Sequence, residues 1–222
     1  GRQTLLEYLE SSQIGHIDCM VSTHIHEDHI CGLLPAAERF APAELWQTLP
    51  VDFFQRSMHI LDDSQAKTPS EEKFMRALND YQKLCGLVCR EGGAVRCLHA
   101  GETVSPCAGL SCQVLAPSEQ SADELESRCH DQFAERDIAA FFKKLDALDA
   151  RMNNFSLVLR LDYGKTSVLL PGDTNRVGYG DIDPAALRAD LFKIGHHGQK
   201  DGTDAALLDA IRPRAVVCCA SS

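Results

Sequence analysis

The sequence of 222 residues contains no apolar run that approaches the roughly 18 residues of a membrane-spanning helix. It shows no signal peptide either, so we expect a cytoplasmic protein. Ten cysteines are spread along the chain, with only Cys218 and Cys219 adjacent, and do not form the short framework of a disulfide-stabilised domain. This distribution favours a reducing compartment, which agrees with the cytoplasmic location.

Basic residues are scarce relative to acidic ones. The chain has 22 Lys and Arg against 32 Asp and Glu, which gives a net charge of −10. Nine of the acids and four of the bases lie in residues 118–150. A field of this sign repels nucleic acid over most of the surface, which excludes a broad basic binding face. A polyanionic substrate would need a local cation to offset the repulsion.

Several common catalytic and binding motifs are missing. Neither G-x-x-x-x-G-K-[ST] nor G-x-G-x-x-G occurs, so nucleotide binding by those loops is not supported. No serine stands in a G-x-S-x-G setting, which argues against a serine hydrolase. Cys85 and Cys89 are four residues apart, but no second pair stands at metal-ligand spacing, so we interpret both as core residues. Four isolated histidines are assigned to surface or core, namely His16, His59, His99 and His130.

The length and the 44% of hydrophobic residues are those of a single globular domain. Strand-like and helix-like periodicities are mixed along the chain, so the fold class is α/β or α+β. Capping-box patterns predict helix starts at residues 68–71 and 121–124. We therefore expect the acidic stretch 118–150 to be a mainly helical insert, because solvated helices tolerate its charge.

The strongest chemical signal is T-H-I-H-E-D-H at residues 23–29, directly after a predicted strand. On an extended backbone His24 and His26 point the same way, while Asp28 and His29 can turn toward a second position. Imidazole and carboxylate are ligands that zinc, manganese and iron accept. A solvated histidine-rich loop is the alternative, and the rarity of the motif favours a metal site.

Two later segments place ligand-type residues after strand-like runs. L-L-P-G-D-T at residues 169–174 carries Asp173, whose two carboxylate oxygens could bridge two metal ions. K-I-G-H-H-G at residues 193–198 presents His196 and His197. Adjacent side chains on an extended chain point apart, so we expect only one of this pair to bind an ion. Alone, each segment is also typical of a turn or of an exposed histidine pair.

Together these segments resemble the metallo-β-lactamase superfamily, which carries an H-x-H-x-D-H loop, a later Gly-Asp after a strand and a final strand-end histidine. The closer likeness is to the soluble hydrolase module of the ComEC DNA-uptake competence family and its stand-alone relatives. The segments that match it are N-N-F-S-L-V-L at 153–159, L-P-G-D at 170–173 and K-I-G-H-H-G at 193–198. The likeness covers residues 5–40 and 150–219, and the acidic middle has no match.

The resemblance implies a four-layer αββα sandwich over residues 1–222 and a site for one or two divalent ions, zinc or manganese. The implied metal ligands come from all three segments: His24, His26, Asp28, His29, Asp173 and His196. The first two would hold one ion, Asp173 would bridge, and the others would hold the second ion. The implied catalytic residues are Asp28, Asp173 and His197, the last of which could contact a phosphate oxygen or protonate the leaving group.

Two departures from the family pattern change these expectations. Many members place a third histidine just before the Ser-Leu strand, where Asn154 stands here. The first ion would then bind less tightly, and oxygen-preferring manganese would be favoured over zinc. The family fold also begins with a strand hairpin that this sequence does not contain. The expected sheet would have an open edge, which a partner protein or a flanking segment could cover.

The resemblance implies hydrolysis of a phosphoester by a metal-activated water, as in a phosphodiesterase or nuclease, with nucleic acid among the substrates. Arg176 and Lys200, each shortly after a metal segment, are candidate phosphate contacts. Ester or lactam hydrolysis by the same fold is one alternative, because a metal-activated water also attacks a carbonyl. A non-catalytic partner-binding module is the other, motivated by Asn154 and the missing hairpin.

Overall fold

The computed structural model describes residues 3–180 and 182–220, and the chain divides into two compact units. One unit takes in the chain up to Cys97 together with Leu125–Ala150. The other takes in Leu98–Glu124 and the chain from Arg151 onward. The two units have a β-sheet each and several helices. The fold is therefore mixed, consistent with the α+β class that the periodicities predict.

The first unit contains a parallel three-stranded sheet, with strands β1 (Cys19–Val21), β2 (Glu44–Gln47) and β3 (Ala94–Cys97) in that order. The sequence pattern does not predict β2. Its residues Leu45, Trp46 and Gln47 are all buried, so the alternation that marks a half-exposed strand is missing.

The helices of the first unit are, in chain order, α1 (Leu5–Ser11), α2 (Glu27–Ile30), α3 (Leu33–Phe40), α4 (Val51–Arg56), α5 (Pro69–Arg90), most of α6 (Glu119–Ala134) and α7 (Ile138–Asp149). The predicted capping box of α5 is confirmed. Thr68 Oγ1 accepts from the Glu71 N–H at 3.2 Å, and the Glu71 carboxylate accepts from the Thr68 N–H at 2.9 Å.

The acidic stretch is occupied by α6 and α7. α6 begins earlier than the capping pattern at 121–124 predicts, because the Ser121 N–H donates to Ser118 Oγ at 3.3 Å and that pattern lies inside the first turns. Both helices bury an apolar face, including Leu125, Leu145 and Leu148. The many acids are thus carried by amphipathic helices rather than by helices solvated on all sides.

The second unit contains a six-stranded sheet in chain order, with β4 (Thr103–Cys107), β5 (Leu110–Ala116), β6 (Val158–Tyr163), β7 (Thr166–Leu170), β8 (Leu191–Lys193) and β9 (Ala215–Val217). The first three pairings are antiparallel and the last two are parallel. The helix α8 (Ala205–Ile211) precedes β9. Val158, Leu169 and Phe192 from the central strands form the core of this unit.

Turn chemistry explains which strands the sequence reveals. The Y-G-K sequence at residues 163–165, between two strand-like runs, predicts a hairpin. β6 and β7 form it: Tyr163 pairs with Thr166, and Gly164 has φ +59°, a conformation that glycine adopts without strain. The sequence pattern does not predict β4, because Pro106 lacks the N–H that a central strand uses. β4 lies at the sheet edge, and its register shifts between Val104 and Cys107.

Strand ends position the candidate site residues. In the first unit the histidine motif follows β1. In the second unit β7 and β8 are parallel neighbours, so the segments that follow them, with Asp173 and His197, emerge at one edge of the sheet. Every helix in residues 3–180 and 182–220 is too short or too polar to cross a membrane.

Candidate metal centre

The histidine motif of the first unit gathers three imidazoles between the end of β1 and the first turn of α2. The ring centroid of His24 lies 4.8 Å from that of His26 and 4.2 Å from that of His29. His24 is only 1% exposed. A buried cluster of imidazoles is the donor set that zinc and manganese accept.

Two ring nitrogens in this cluster face each other. His24 Nε2 and His26 Nδ1 are 3.0 Å apart, and the opposite nitrogen of His26, Nε2, lies 3.1 Å from Asp149 Oδ1. A carboxylate only accepts hydrogen bonds, so a neutral His26 carries its proton on Nε2 and presents Nδ1 as a lone pair. His24 Nδ1 lies 3.1 Å from Thr23 Oγ1. In the neutral rings His24 Nε2–H then donates to His26 Nδ1, and a divalent ion would take the place of that proton, so the pair fits the metal ion that the resemblance implies.

Asp28 and His29 lie side by side in the first turn of α2. His29 Nε2 is 3.7 Å from Asp28 Oδ2, and its Nδ1 is 3.4 Å from Thr23 Oγ1. The imidazole is mostly buried and the carboxylate is mostly exposed, at 16% and 60%. One imidazole nitrogen and one carboxylate oxygen therefore lie next to the other imidazoles of the motif, at the residues for which the sequence predicts a second ligand position.

In the second unit Asp173 faces His197. Asp173 is 3% exposed, and its Oδ2 lies 3.1 Å from His197 Nε2. The other ring nitrogen, Nδ1, lies 2.9 Å from the carbonyl oxygen of Cys219, which can only accept, so Nδ1 carries a proton. In a neutral ring the lone pair of Nε2 then points at a carboxylate oxygen. That approach requires either a proton or a metal cation between the two atoms, so this pair also fits a metal site.

The backbone of the histidine turn is strained. His196 and His197 both lie in the left-handed region, with φ of +47° and +52°, which costs about 1 kcal/mol or more for each residue with a side chain. The turn is also closely packed, because a Cβ on Gly202 would come within 2.8 Å of the Gly195 carbonyl oxygen. Strained conformations of this kind concentrate at functional sites, where the surrounding structure holds them.

The neighbouring His196 has different partners. Its Nδ1 lies 2.8 Å from Asp201 Oδ1, and its Nε2 lies 3.2 Å from Asn153 Nδ2. The carboxylate places the proton on Nδ1, and the amide N–H can then donate to Nε2. The sequence leaves open which of the two adjacent histidines is a ligand. The ring beside Asp173 is that of His197, which is therefore the better ligand candidate, although the resemblance points to His196.

Four residues in contact with the candidate ligands are not predicted from the sequence as site residues: Lys193, Asp201, Asn153 and Asp149. Lys193 Nζ lies 3.8 Å from Asp173 Oδ1 and donates to the Gly172 carbonyl at 3.4 Å. Lys193 opens the K-x-G-H-H-G segment, so the motif could have identified it. Asp149 is 123 positions from His26 and belongs to no motif, so no local signal connects them.

The candidate phosphate contacts are both exposed. Arg176 forms an ion pair with Asp204 at 3.2 Å, with its side chain 69% exposed. Lys200 is exposed in the segment after the histidine turn. An exposed ion pair contributes little energy and is readily exchanged, so Arg176 could turn to an anion. Neither residue has a contact that assigns it to the site.

The remaining cysteine and histidine candidates agree with a role in packing. Cys85 is fully buried on α5, and burial raises the pKa of its thiol to about 12. The thiol therefore stays protonated at neutral pH, whereas metal binding uses the thiolate. The rings of His130 and His59 pack edge-on against Phe53 and Phe133, with centroids 4.7 and 5.3 Å apart. Both histidines are exposed, so their rings pack against these aromatic side chains from the solvent side of the first unit.

The two adjacent asparagines have different environments. Asn153 contacts His196, whereas Asn154 borders a polar cavity of about 170 Å³ together with Arg151 and Glu124. The family motif has a histidine at the position of Asn154, so we expect Asn154→His to raise zinc affinity about tenfold, or about 1.4 kcal/mol. Asn153→His is the matched control, because it adds an imidazole beside His196, which is not the better ligand candidate. Calorimetric zinc titration measures both, and a gain for Asn153→His alone would contradict the motif alignment.

No family model matches the sequence. The chain is 22% identical to ComE operon protein 3 of Bacillus subtilis over 219 residues, which is 98% of this chain and 22% of that protein. It is 38% identical to Recombination protein 2 of Haemophilus influenzae over 61 residues, which is 28% of this chain and 8% of that protein. Both proteins are distant homologues of this chain. The chain spans about a fifth of the length of the first and less than a tenth of the second.

Proposed function

We propose that this chain is a metal-dependent hydrolase that cleaves phosphodiesters, with nucleic acid as the leading substrate class. The observation that carries the proposal is the pair of ring nitrogens in the histidine motif, His24 Nε2 and His26 Nδ1, 3.0 Å apart. The near full-length similarity to ComE operon protein 3 agrees with the resemblance to the ComEC module, whose hydrolase class the proposal adopts.

Six side chains are proposed to hold one or two divalent ions: His24, His26, Asp28, His29, Asp173 and His197. His24 and His26 would bind the first ion, and Asp173 would bridge to the second. We assign the last position to His197 because its Nε2 lies 3.1 Å from Asp173. The four-layer αββα arrangement implied by the resemblance is part of this proposal.

Bound divalent ions would act as Lewis acids and lower the pKa of a water molecule. Around them, the residues of the chain have separate roles. Lys193 supplies a fixed positive charge 3.8 Å from Asp173, which offsets part of the repulsion between a phosphate and a protein of net charge −10. In its imidazolium form, with Nδ1–H held by Asp201 at 2.8 Å, His196 would give its Nε2 proton to the leaving oxygen and become the neutral ring.

Metal-dependent cleavage of bis(4-nitrophenyl) phosphate and of DNA tests the proposal. After chelation and reloading with manganese or zinc, we expect the protein to cleave the phosphodiester and to leave nitrocefin intact. His24→Ala should lower the rate by more than about 100-fold, since even partners of ligands contribute 10- to 100-fold. His16→Ala is the matched control, because His16 is exposed and pairs with Asp18 away from the motif.

Two results would contradict the proposal in different ways. Hydrolysis of nitrocefin without cleavage of the phosphodiester would favour an ester or lactam hydrolase. Failure of the purified, reloaded protein to retain manganese or zinc in elemental analysis would favour a non-catalytic partner-binding module.

A further inference from the structure

Asp149 is the last residue of α7, in the acidic stretch that has no counterpart in the family motifs. Its two carboxylate oxygens contact different partners. Oδ1 lies 3.1 Å from His26 Nε2, and Oδ2 accepts from Ser70 Oγ at 3.2 Å. The side chain is 27% exposed, so it lies at the boundary between the interior of the first unit and solvent.

Packing of the first unit holds Asp149 in this place. Leu145 and Leu148 are buried on α7, which fixes the rotation of the helix, and α7 packs on α5. Ser70 is the second residue of α5, two positions after the capping residue Thr68. The carboxylate is therefore anchored between the end of one helix and the start of another.

The electrostatics of α7 itself do not explain an acid at this position, although the nearby start of α5 favours a negative charge. The carboxyl end of a helix carries a partial negative charge, so a carboxylate there is unfavourable. A residue that is unfavourable for the helix in which it lies is usually part of a functional site. One carboxylate oxygen of Asp149 contacts Ser70, and the other contacts His26 of the histidine motif.

We infer that Asp149 is a positioning residue that orients His26 as a metal ligand. The inference rests on the proposed metal-dependent function. Asp149 accepts a hydrogen bond from His26 Nε2–H, which leaves the lone pair of Nδ1 facing His24 Nε2 at 3.0 Å. A carboxylate partner also raises the basicity of a ligating imidazole. The acidic insert thereby takes part in the site through one side chain.

The surroundings of this contact are open to solvent. His26, Asp28, Ser70, Phe74 and Asp149 border a cleft of about 380 Å³ within the first unit. Water in the cleft competes for the hydrogen bond between Asp149 and His26, so loss of the carboxylate should loosen the ring without unfolding the protein. We expect the effect on metal affinity to lie near the lower end of the range for such partners, about 10-fold within 10- to 100-fold.

The first test uses the metal-free protein. Long-range ¹H–¹⁵N spectra of the histidine rings report which nitrogen of His26 carries the proton. We expect the Nε2–H tautomer in the wild type and in Asp146→Ala, a matched control on the exposed face of α7, and a mixture of tautomers in Asp149→Ala. An unchanged Nε2–H tautomer in Asp149→Ala would overturn the inference, whatever the activity of the protein.

The second test is titration with manganese or zinc. Asp149→Ala should weaken binding about 10-fold, and Asp149→Asn should restore much of it, because the amide oxygen still accepts a hydrogen bond. Ser70→Ala should have a smaller effect in the same direction. Equal affinities in wild type and Asp149→Ala would overturn the inference. If the tautomer changes as expected but the wild type binds no metal, the proposed function fails while the orienting role toward His26 stands.

Discussion

Replacing Asp173 by asparagine is expected to lower metal-dependent phosphodiester cleavage by more than about 100-fold, since outer partners of ligands already contribute 10- to 100-fold. Asp173 is 3% exposed, and its Oδ2 lies 3.1 Å from His197 Nε2. A buried carboxylate can offer an oxygen to each of two cations, whereas an amide brings no charge and one weaker oxygen donor. Elemental analysis should therefore show loss of bound metal together with loss of activity.

The matched control for this substitution is Asp209→Asn. Asp209 is an exposed residue on α8, so the same chemical change there should alter neither metal content nor rate. Urea unfolding of the metal-free proteins checks that Asp173→Asn still folds, since the change weakens contacts to His197 and Lys193. Retention of both metal and activity in a folded Asp173→Asn protein would remove Asp173 from the site.

Features set by neighbouring residues could be predicted from the sequence. The capping box of α5 depends on Thr68 and Glu71, three positions apart, and the hairpin depends on the turn between Tyr163 and Thr166. β2 could not be predicted because consecutive residues of this strand are buried, and that burial depends on packing against the rest of the first unit. β4 could not be predicted because Pro106 lacks the backbone N–H of a central strand. The strand tolerates this proline because the tertiary structure places it at the edge of the sheet.

The same division holds for the candidate site. The three motifs identify the ligand-type residues, because metal ligands follow strands at short, recognisable spacings. Their partners depend on contacts made elsewhere in the chain. Asp149 is 123 positions from His26, and Asn153 is 43 positions from His196. No sequence pattern predicts these contacts. Each contact nevertheless determines which ring nitrogen of the histidine carries the proton and which has the free lone pair.

The adjacent histidines should separate into a ligand and a proton-transfer residue. We expect His197→Asn to weaken metal binding by more than about 100-fold, because even partners of ligands contribute 10- to 100-fold. His196→Asn should leave metal content unchanged and lower kcat by about 10²- to 10⁴-fold, the range for a general acid. Asparagine is chosen because both residues have positive φ, a conformation that asparagine tolerates better than alanine.

Metal titration and steady-state kinetics on the same samples distinguish the two roles. His197 is held by the Cys219 carbonyl at 2.9 Å and faces Asp173, whereas His196 is held by Asp201 at 2.8 Å. A ligand changes stoichiometry or affinity, and a proton-transfer residue changes kcat with bound metal intact. If His196→Asn loses metal and His197→Asn retains it, the ligand is His196, as the family motif implies. The proton-transfer role would then belong to His197.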